Sequence, residues 1–311
     1  MRVLIARLSA LGDAVCSLPA AVALKATFPE SHITWAVDAR FRGIVERCGA
    51  VDEVVTVKPG LHPKSWPKFD ALFDLALDLQ GLAKSALVVS RSGAPKKLGY
   101  HWQREGAWLV SSPVPPDPTS FHIVDQYVDV ARAAGAACDR AEFGLTPDTE
   151  DVTKMRALLV EHGVTTGFVL MNAGAGWATK RWPPLHFARL IDDLARRGIP
   201  SALIGGRADA DREAAREVVD ACAHPPADLL GLTSVRELVA LVSLASAHVG
   251  GDTGSTHLAA ALNVPAIGLY SITRPQRSCP YGQIGRCHYD PAGLGSIPPE
   301  EVLMTVREAL A

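Results

Sequence analysis

Three short stretches hold most of the side chains able to do chemistry. The first is Gly250-Gly251-Asp252-Thr253-Gly254-Ser255-Thr256-His257, set between two apolar runs. Gly251 and Gly254 there allow positive φ and close approach of a ligand to the backbone. Ser255 or Thr256 is placed to cap the helix that follows, and Asn263 before Pro265 to end it. A helix N-terminus with free N–H groups and small hydroxyls suits an anion, and Asp252 and His257 add an acid and an imidazole to it. The alternative is a capped turn between two buried strands. The second stretch is Ser9-Ala10-Leu11-Gly12-Asp13, which follows a strand and opens a helix. Asp13 is either a helix cap or a general base facing the other domain. The third is Asn172 to Pro183, with small residues, Thr179, Lys180 and Arg181. Exposed N–H groups and two cations suit a departing diphosphate; a solvated basic loop is the other reading.

Weaker signals lie elsewhere. Asp209-Ala210-Asp211 has the spacing with which some sugar-transferring enzymes hold a divalent metal. It falls in the first turn of an expected helix, where carboxylates favour the dipole anyway. Asp78-Leu79-Gln80-Gly81-Leu82-Ala83-Lys84-Ser85 forms another strand-end turn, and Lys84 there is able to meet an acidic acceptor. Lys58, His62, Lys64 and Lys68 cluster loosely, followed by Arg104 and His122. Such a basic rim suits an anionic substrate at a membrane surface, although scattered surface lysines are common.

The elements that must position these residues follow a regular alternation. Strands are expected at 2–6, 33–37, 54–57, 75–79 and 97–100, with helices at 14–27, 39–48, 82–91 and 121–134. Residues 111–118, rich in proline, read as a stiff loop. The pattern breaks at Leu145-Thr146-Pro147-Asp148, which places a domain linker there. It restarts with strands at 167–171, 201–204 and 266–270 and helices at 184–197, 209–222 and 299–310. Ser234 and Glu237 have capping-box spacing and open a helix to 245. The fold class is α/β: two doubly wound halves, 1–147 and 148–311, each with a parallel sheet covered on both faces. A cleft between the carboxyl ends of their strands is where ligands of such sheets bind.

A chain of 311 residues is long for one core. Its 48% apolar and 21% charged residues are ordinary for a globular protein, and a net charge of -2 gives no reason to expect nucleic acid. The six cysteines form no Cys-x-x-Cys pair, so neither a zinc site nor a disulfide framework is indicated. Scattered thiols fit the cytoplasm. The N-terminus mimics a signal peptide, but Asp13 interrupts its apolar run and Val3-Leu4-Ile5-Ala6 reads as a buried strand. No run approaches a membrane span, so any membrane contact is peripheral.

Taken together, Met1-Arg2-Val3-Leu4-Ile5 leading to Leu11-Gly12-Asp13, then Asp78-x-Gln80-Gly81-x-x-Lys84-Ser85, Lys180-x-Trp182-Pro183 and Asp252-Thr253-Gly254-x-x-His257 resemble the heptosyltransferases of lipopolysaccharide core synthesis, glycosyltransferase family nine. The resemblance spans nearly the whole chain, in the family's order. It implies a GT-B architecture: two Rossmann-like domains facing across a cleft, the first binding acceptor and the second the nucleotide sugar. It implies an inverting, metal-independent transferase without a cofactor, using ADP-heptose as donor and the Kdo of Kdo-lipid A, or a heptose of the inner core, as acceptor. By the same resemblance Asp13 is the general base and Lys180 neutralises the departing ADP. Ser9, Gly12, Thr179, Asp252, Thr253, Gly254 and His257 bind the donor. Gln80, Lys84, Arg104 and His122 serve the acceptor. The enzyme is then cytoplasmic, peripheral on the inner face of the inner membrane. The chain departs from the family pattern in having Arg207-Ala208-Asp209-Ala210-Asp211 where a Glu often contacts the ribose. It also has Arg274 for an Asp, Cys279 for a Gly, and Gln126 where Kdo-acceptor members are basic.

Three rivals stand beside this reading: a family member with another donor or acceptor, a nucleotide-sugar binder without catalysis, and a sugar-nucleotide epimerase of similar shape. Asp13 and Lys180 both being present argues against the second. A nicotinamide oxidoreductase is disfavoured, because Gly-x-Gly-x-x-Gly is missing after the first strand of each half.

Overall fold

The computed structural model describes residues 1–58, 67–165, 167–174, 181–206 and 208–311. Two compact units divide it, Met1–Thr146 and Pro147–Ala311. Each holds one six-stranded sheet, parallel throughout.

In unit 1 the strands are β1 (Arg2–Ala6), β2 (His32–Val37), β3 (Glu53–Thr56), β4 (Leu75–Asp78), β5 (Lys96–Tyr100) and β6 (Ser112–Val114). They lie in the order β3-β2-β1-β4-β5-β6. The helices are α1 (Leu11–Thr27), α2 (Arg42–Val45), α3 (Ala83–Ser90) and α4 (Ile123–Ala133). The central strand is apolar because helices cover both faces: Val3, Leu4, Ile5 and Ala6 are all fully buried. Helix α1 is apolar almost all round and packs along α4.

Unit 2 begins with α5 (Thr149–Glu161) and has strands β7 (Val169–Asn172), β8 (Ser201–Ile204), β9 (Ala227–Asp228), β10 (Ala247–Gly251), β11 (Ala266–Tyr270) and β12 (Cys287–Tyr289). Their order is β12-β11-β10-β7-β8-β9. Its further helices are α6 (Pro184–Ala195), α7 (Asp209–Ala221), α8 (Val235–Leu244), α9 (Gly254–Ala261), α10 (Pro275–Ser278) and α11 (Pro299–Leu310). The capping box forms: Ser234 Oγ accepts from Glu237 N at 3.2 Å, and Glu237 Oε2 accepts from Ser234 N at 2.7 Å. The core joins Val169 and Met171 of β7, Val249 of β10 and Ile267 of β11 to Phe187, Leu190 and Leu194 of α6 and Val302 and Val306 of α11.

Both sheets reverse direction at the same point. In unit 1 the chain winds outward from β1 through β2 to β3, then returns to place β4 on the other side of β1, so Ala6 lies opposite Asp78. In unit 2 it winds from β7 through β8 to β9, then sets β10 beside β7, with Gly250 opposite Asn172. At such a switch the two adjacent loops leave in opposite directions and open a crevice at the carboxyl ends of the strands.

Several expectations are corrected. The helix expected at 39–48 is a 3-10 turn, Ala39–Phe41, followed by the four-residue α2. The proline-rich loop at 111–118 contains edge strand β6, with Pro113 tolerated because an edge strand leaves one side unpaired. Helix α1 starts at Leu11 rather than 14, which puts Asp13 inside its first turn. Helix α5 and the short strands β9 and β12 were not anticipated.

Candidate active site

Unit 1 builds one constellation at its switch point. Strand β1 ends at Ala6, and Arg7 folds back into the protein, only 6% exposed. Its Nη1 donates to the Leu79 carbonyl at 2.5 Å, Nη2 lies 2.7 Å from Asp13 Oδ1, and its guanidinium carbon sits 5.3 Å from the centre of the Tyr127 ring. The N-cap of α1 is Ala10, so Asp13 is not the cap: it is the third helical residue, and its Oδ2 accepts from Ala10 N at 3.2 Å. Each oxygen of this carboxylate is thereby fixed, while the side chain stays 47% exposed. A carboxylate held on two sides and open on the third is well shaped to accept a proton from an incoming hydroxyl. Ser9 and Gly12, on the same loop and first turn, are half-buried.

The neighbouring strand supplies the support. Gln80 Oε1 accepts from Leu8 N at 2.8 Å, stitching the loop after β4 to the loop after β1. Asp78 is fully buried and its Oδ1 accepts from Gln80 N at 3.0 Å and Gly81 N at 2.8 Å. Burial pushes the Asp78 carboxyl above its ordinary value, against the pull of those N–H bonds. Gly81 has φ +70°, and a Cβ there would stand 3.0 Å from the Trp102 carbonyl, so the turn demands glycine. Arg104 N donates to Gly81 O at 2.8 Å, which brings exposed Arg104 beside the same turn.

Of the acceptor-binding expectations, Gln80 is therefore tied to the Asp13 loop through Leu8 N, and Arg104 flanks the turn that carries Gln80. Lys84 is exposed on the first turn of α3, within electrostatic reach of Asp38. Asp38 is buried, and its hydrogen bonds to Arg40 hold its carboxyl below the usual range. His122 is buried and caps α4, with Nδ1 accepting from Val124 N at 3.2 Å. Lys58 and Lys68 are exposed.

Unit 2 builds a second constellation at its own switch point. The N-cap of α9 is Thr253, not Ser255 or Thr256. Its Oγ1 lies 3.1 Å from Ser255 Oγ and 3.2 Å from Thr256 Oγ1, and Asn172 Nδ2 donates to Ser255 Oγ at 2.9 Å. Neither Gly251 nor Gly254 has positive φ. The tight position is Gly250, where a Cβ would meet Thr256 Oγ1 at 3.0 Å. Asp252 bridges outward: Oδ1 is 3.3 Å from His257 Nε2, and Oδ2 accepts from Thr273 Oγ1 at 3.0 Å. Helix α9 ends as its sequence indicates. Asn263 takes φ +60°, with Val264 N donating to Ala259 O and Asn263 N to Ala260 O. The result is an eight-residue helix whose N-terminus, hydroxyls and acid–imidazole pair share one loop, an arrangement fit for a diphosphate and a polyol.

Asp211 lies against the ends of β7 and β8: a Cβ on Gly174 would come within 2.7 Å of its Oδ1. Asp209 is exposed, and among the described residues no group of three His, Cys, Asp or Glu side chains could hold a metal ion. Thr179 and Lys180, with His62 and Lys64, lie outside the described residues. Arg7 and Thr273 are the site residues that sequence reasoning missed, and Asn172, which opens the third stretch, has no role of its own there. Asn172 has a signal, being the polar residue that ends an apolar strand just before a small-residue loop.

Two Rossmann-like units, each with a polar constellation at its switch point, make up a GT-B architecture. The solved structure of an E. coli heptosyltransferase, WaaC with ADP, superposes with a TM-score of 0.78 at 25% identity, covering 99% of this chain and 100% of that one. The E. coli ADP-heptose LPS heptosyltransferase II superposes with a TM-score of 0.82 at 24% identity, over 100% of this chain and 98% of that one. Residues 69–289 match glycosyltransferase family 9 (heptosyltransferase), and the chain belongs to that family. Lipopolysaccharide heptosyltransferase 1 of Pseudomonas aeruginosa is 28% identical over 300 residues, 91% of this chain and 82% of that relative. Among the described residues no helix is long and apolar enough to cross a membrane.

Proposed function

We propose that this chain transfers a heptose, with inversion, from ADP-heptose to the Kdo or a heptose of the lipopolysaccharide inner core. The observation that carries the reading is the Asp13 carboxylate, fixed by Arg7 and Ala10 N yet open to solvent. The names of the relatives, lipopolysaccharide heptosyltransferases and an ADP-bound heptosyltransferase, supply the substrate class. In this reading residues 1–147 bind the acceptor, through Gln80, Lys84, Arg104 and His122. Residues 148–311 bind the nucleotide sugar through Thr179, Asp252, Thr253, Gly254 and His257, with Ser9 and Gly12 contributing from the Asp13 loop. Asp13 takes the proton as the acceptor oxygen attacks the anomeric carbon on the face opposite ADP. The C–O bond to the diphosphate breaks as the new one forms. The N-terminal N–H groups of α9 and Lys180 stabilise the charge that collects on ADP. No cofactor or metal enters the step. The enzyme works in the cytoplasm, at the inner face of the inner membrane.

The test is turnover of ADP-heptose with a water-soluble, deacylated inner-core acceptor. Asp13→Ala is expected to lower kcat by roughly 100- to 10,000-fold while ADP affinity stays near native, since the base acts only in the transition state. Lys180→Ala should weaken both. Native turnover in Asp13→Ala would remove the base, and a thermal shift with UDP or GDP sugars in place of ADP-heptose would remove the donor.

A further inference from the structure

The segment around α3 has a composition unlike the rest of the chain. Residues 83–109 contain one carboxylate, Glu105, and five cations, of which Lys84, Arg91, Lys97 and Arg104 lie along α3 and the segment after it while Lys96 turns to the Ala133 carbonyl of α4, in a protein of net charge -2. Four large apolar side chains stand out from the same region: Leu72 is 76% exposed, Trp102 55%, Trp108 55% and Leu109 83%.

The topology puts these four on one side of the sheet. The crossovers from β4 to β5, through α3, and from β5 to β6, through the 3-10 turn Ala107–Leu109, join parallel neighbours; right-handed crossovers running the same way cover the same face. That turn packs against α3. Trp102 flanks the start of α3, since its carbonyl lies where a Gly81 Cβ would be crowded. Leu72 flanks the far end, since its Cδ2 stands 2.4 Å from where a Gly93 Cβ would be. Trp108 and Leu109 belong to the turn that packs against α3, and its backbone is already paired: Leu109 N donates to Gly106 O, and Ala107 N to Arg104 O. More than half of each of these side chains is open to solvent. Half-exposed tryptophans beside leucines and cations are the pattern that settles into the headgroup layer of an anionic membrane.

We infer that this face docks on an anionic lipid bilayer. The inference rests on the reading of the acceptor as a lipid-anchored sugar and deepens it. Arg104 N bonds the Gly81 turn, and Gln80 of that turn bonds the Leu8 N–H of the Asp13 loop. The docking face thus adjoins the acceptor residues, so a sugar projecting from the headgroups would meet them without leaving the membrane.

The experiment is flotation of the full chain with vesicles, either phosphatidylcholine alone or phosphatidylcholine containing phosphatidylglycerol. The native chain is expected to float with the anionic vesicles, to do so several-fold less with the neutral ones, and to be released at high salt. Trp108→Ser with Leu109→Ser should lower the partition coefficient about tenfold, and Arg91→Glu roughly five- to tenfold. In both variants the thermal shift with ADP and turnover of the deacylated acceptor should stay native, which shows that they fold. Native floating of the double variant, or failure of the native chain to float while the soluble acceptor is still turned over, overturns the docking face. Floating with no turnover of any inner-core acceptor supports the face and removes the proposed function instead.

Discussion

Arg7 offers the sharpest test of how unit 1 presents Asp13. The perturbation is Arg7→Met, which keeps an apolar stem in the core and deletes the guanidinium. The structure fixes the size of the effect. Arg7 is nearly fully buried and loses a charge-assisted bond to the Leu79 carbonyl together with its place over the Tyr127 ring. That should cost about 2–4 kcal/mol of stability, read as a fall in Tm of about 5–10 °C. The ion pair itself is discounted to about 1 kcal/mol because the Asp13 side chain is 47% exposed and water replaces part of what Arg7 gave it. Turnover should suffer more than stability suggests. With only Ala10 N left to hold it, the Asp13 carboxylate loses its fixed aim, and misplacing a catalytic group by about 1 Å costs up to 100-fold. We therefore expect kcat to fall about 10- to 100-fold with ADP affinity unchanged, and Arg7→Lys to recover part of the loss. The decisive comparison is the double variant with Asp13→Asn. If Arg7 acts through Asp13, the double variant turns over no more slowly than Asp13→Asn alone. Additive losses, or native kcat in a destabilised Arg7→Met, would refute the positioning role.

Other outcomes are expected alongside. Asp252→Asn keeps its size but weakens the tie to His257 and Thr273; nucleotide-sugar affinity should fall about tenfold by calorimetry with Tm nearly native, and unchanged affinity would move the donor away from that loop. Ser234→Ala removes the cap of α8 and should lower stability by about 1 kcal/mol in urea, while a neutral result would mean that Glu237, also paired with Lys154, holds the helix start by itself. His248 is wholly buried, which holds its imidazole down at about 4 while Nδ1 meets the Leu170 carbonyl. The unfolded chain, with an ordinary value of about 6.5, binds that proton first as pH falls. Stability tied to His248 is thus complete above about 6.5 and lost progressively toward 4, by up to roughly 3 kcal/mol. His248→Asn should flatten this slope in denaturant titrations at several pH values, and an unaltered slope would assign the acid sensitivity elsewhere.

The central elements were legible because their sequences are simple. Strands β1, β7, β8 and β11 are short apolar runs bounded by breakers, and the ends of α8 and α9 carry local signals, Ser234 with Glu237 and Asn263 before Pro265. The misses have physical causes. Strand β6 carries Pro113, a residue that argues against strands except at an edge, and edge placement is not a local property. Helix α5 buries only Asp151, Met155 and Leu159, a stripe too thin to show as periodicity. Its clearest cue is Asp148, whose Oδ1 accepts from Glu150 N but which in sequence sits beside Pro147 in the break between the two halves. Asp13 and the Asp252–His257 turn could be singled out from composition and spacing. Arg7 could not, since a basic residue after a strand is usually solvated, and its burial depends on Leu79 and Tyr127 arriving from 72 and 120 residues away. Gly251 and Gly254 allow positive φ but do not take it, because Thr253 enters α9 from extended backbone and no left-handed step is needed.

Among the described residues each sheet is completed by strands from its own half of the chain, and none is lent across Thr146–Pro147. That peptide bond is therefore a natural seam. A graft made there, joining this N-terminal half to the C-terminal half of another family member, would sever no strand pairing in either sheet. On the proposed reading, most of the acceptor and donor residues would then be exchangeable by recombination rather than by rebuilding either core, with Ser9 and Gly12 the donor residues that travel with the first half.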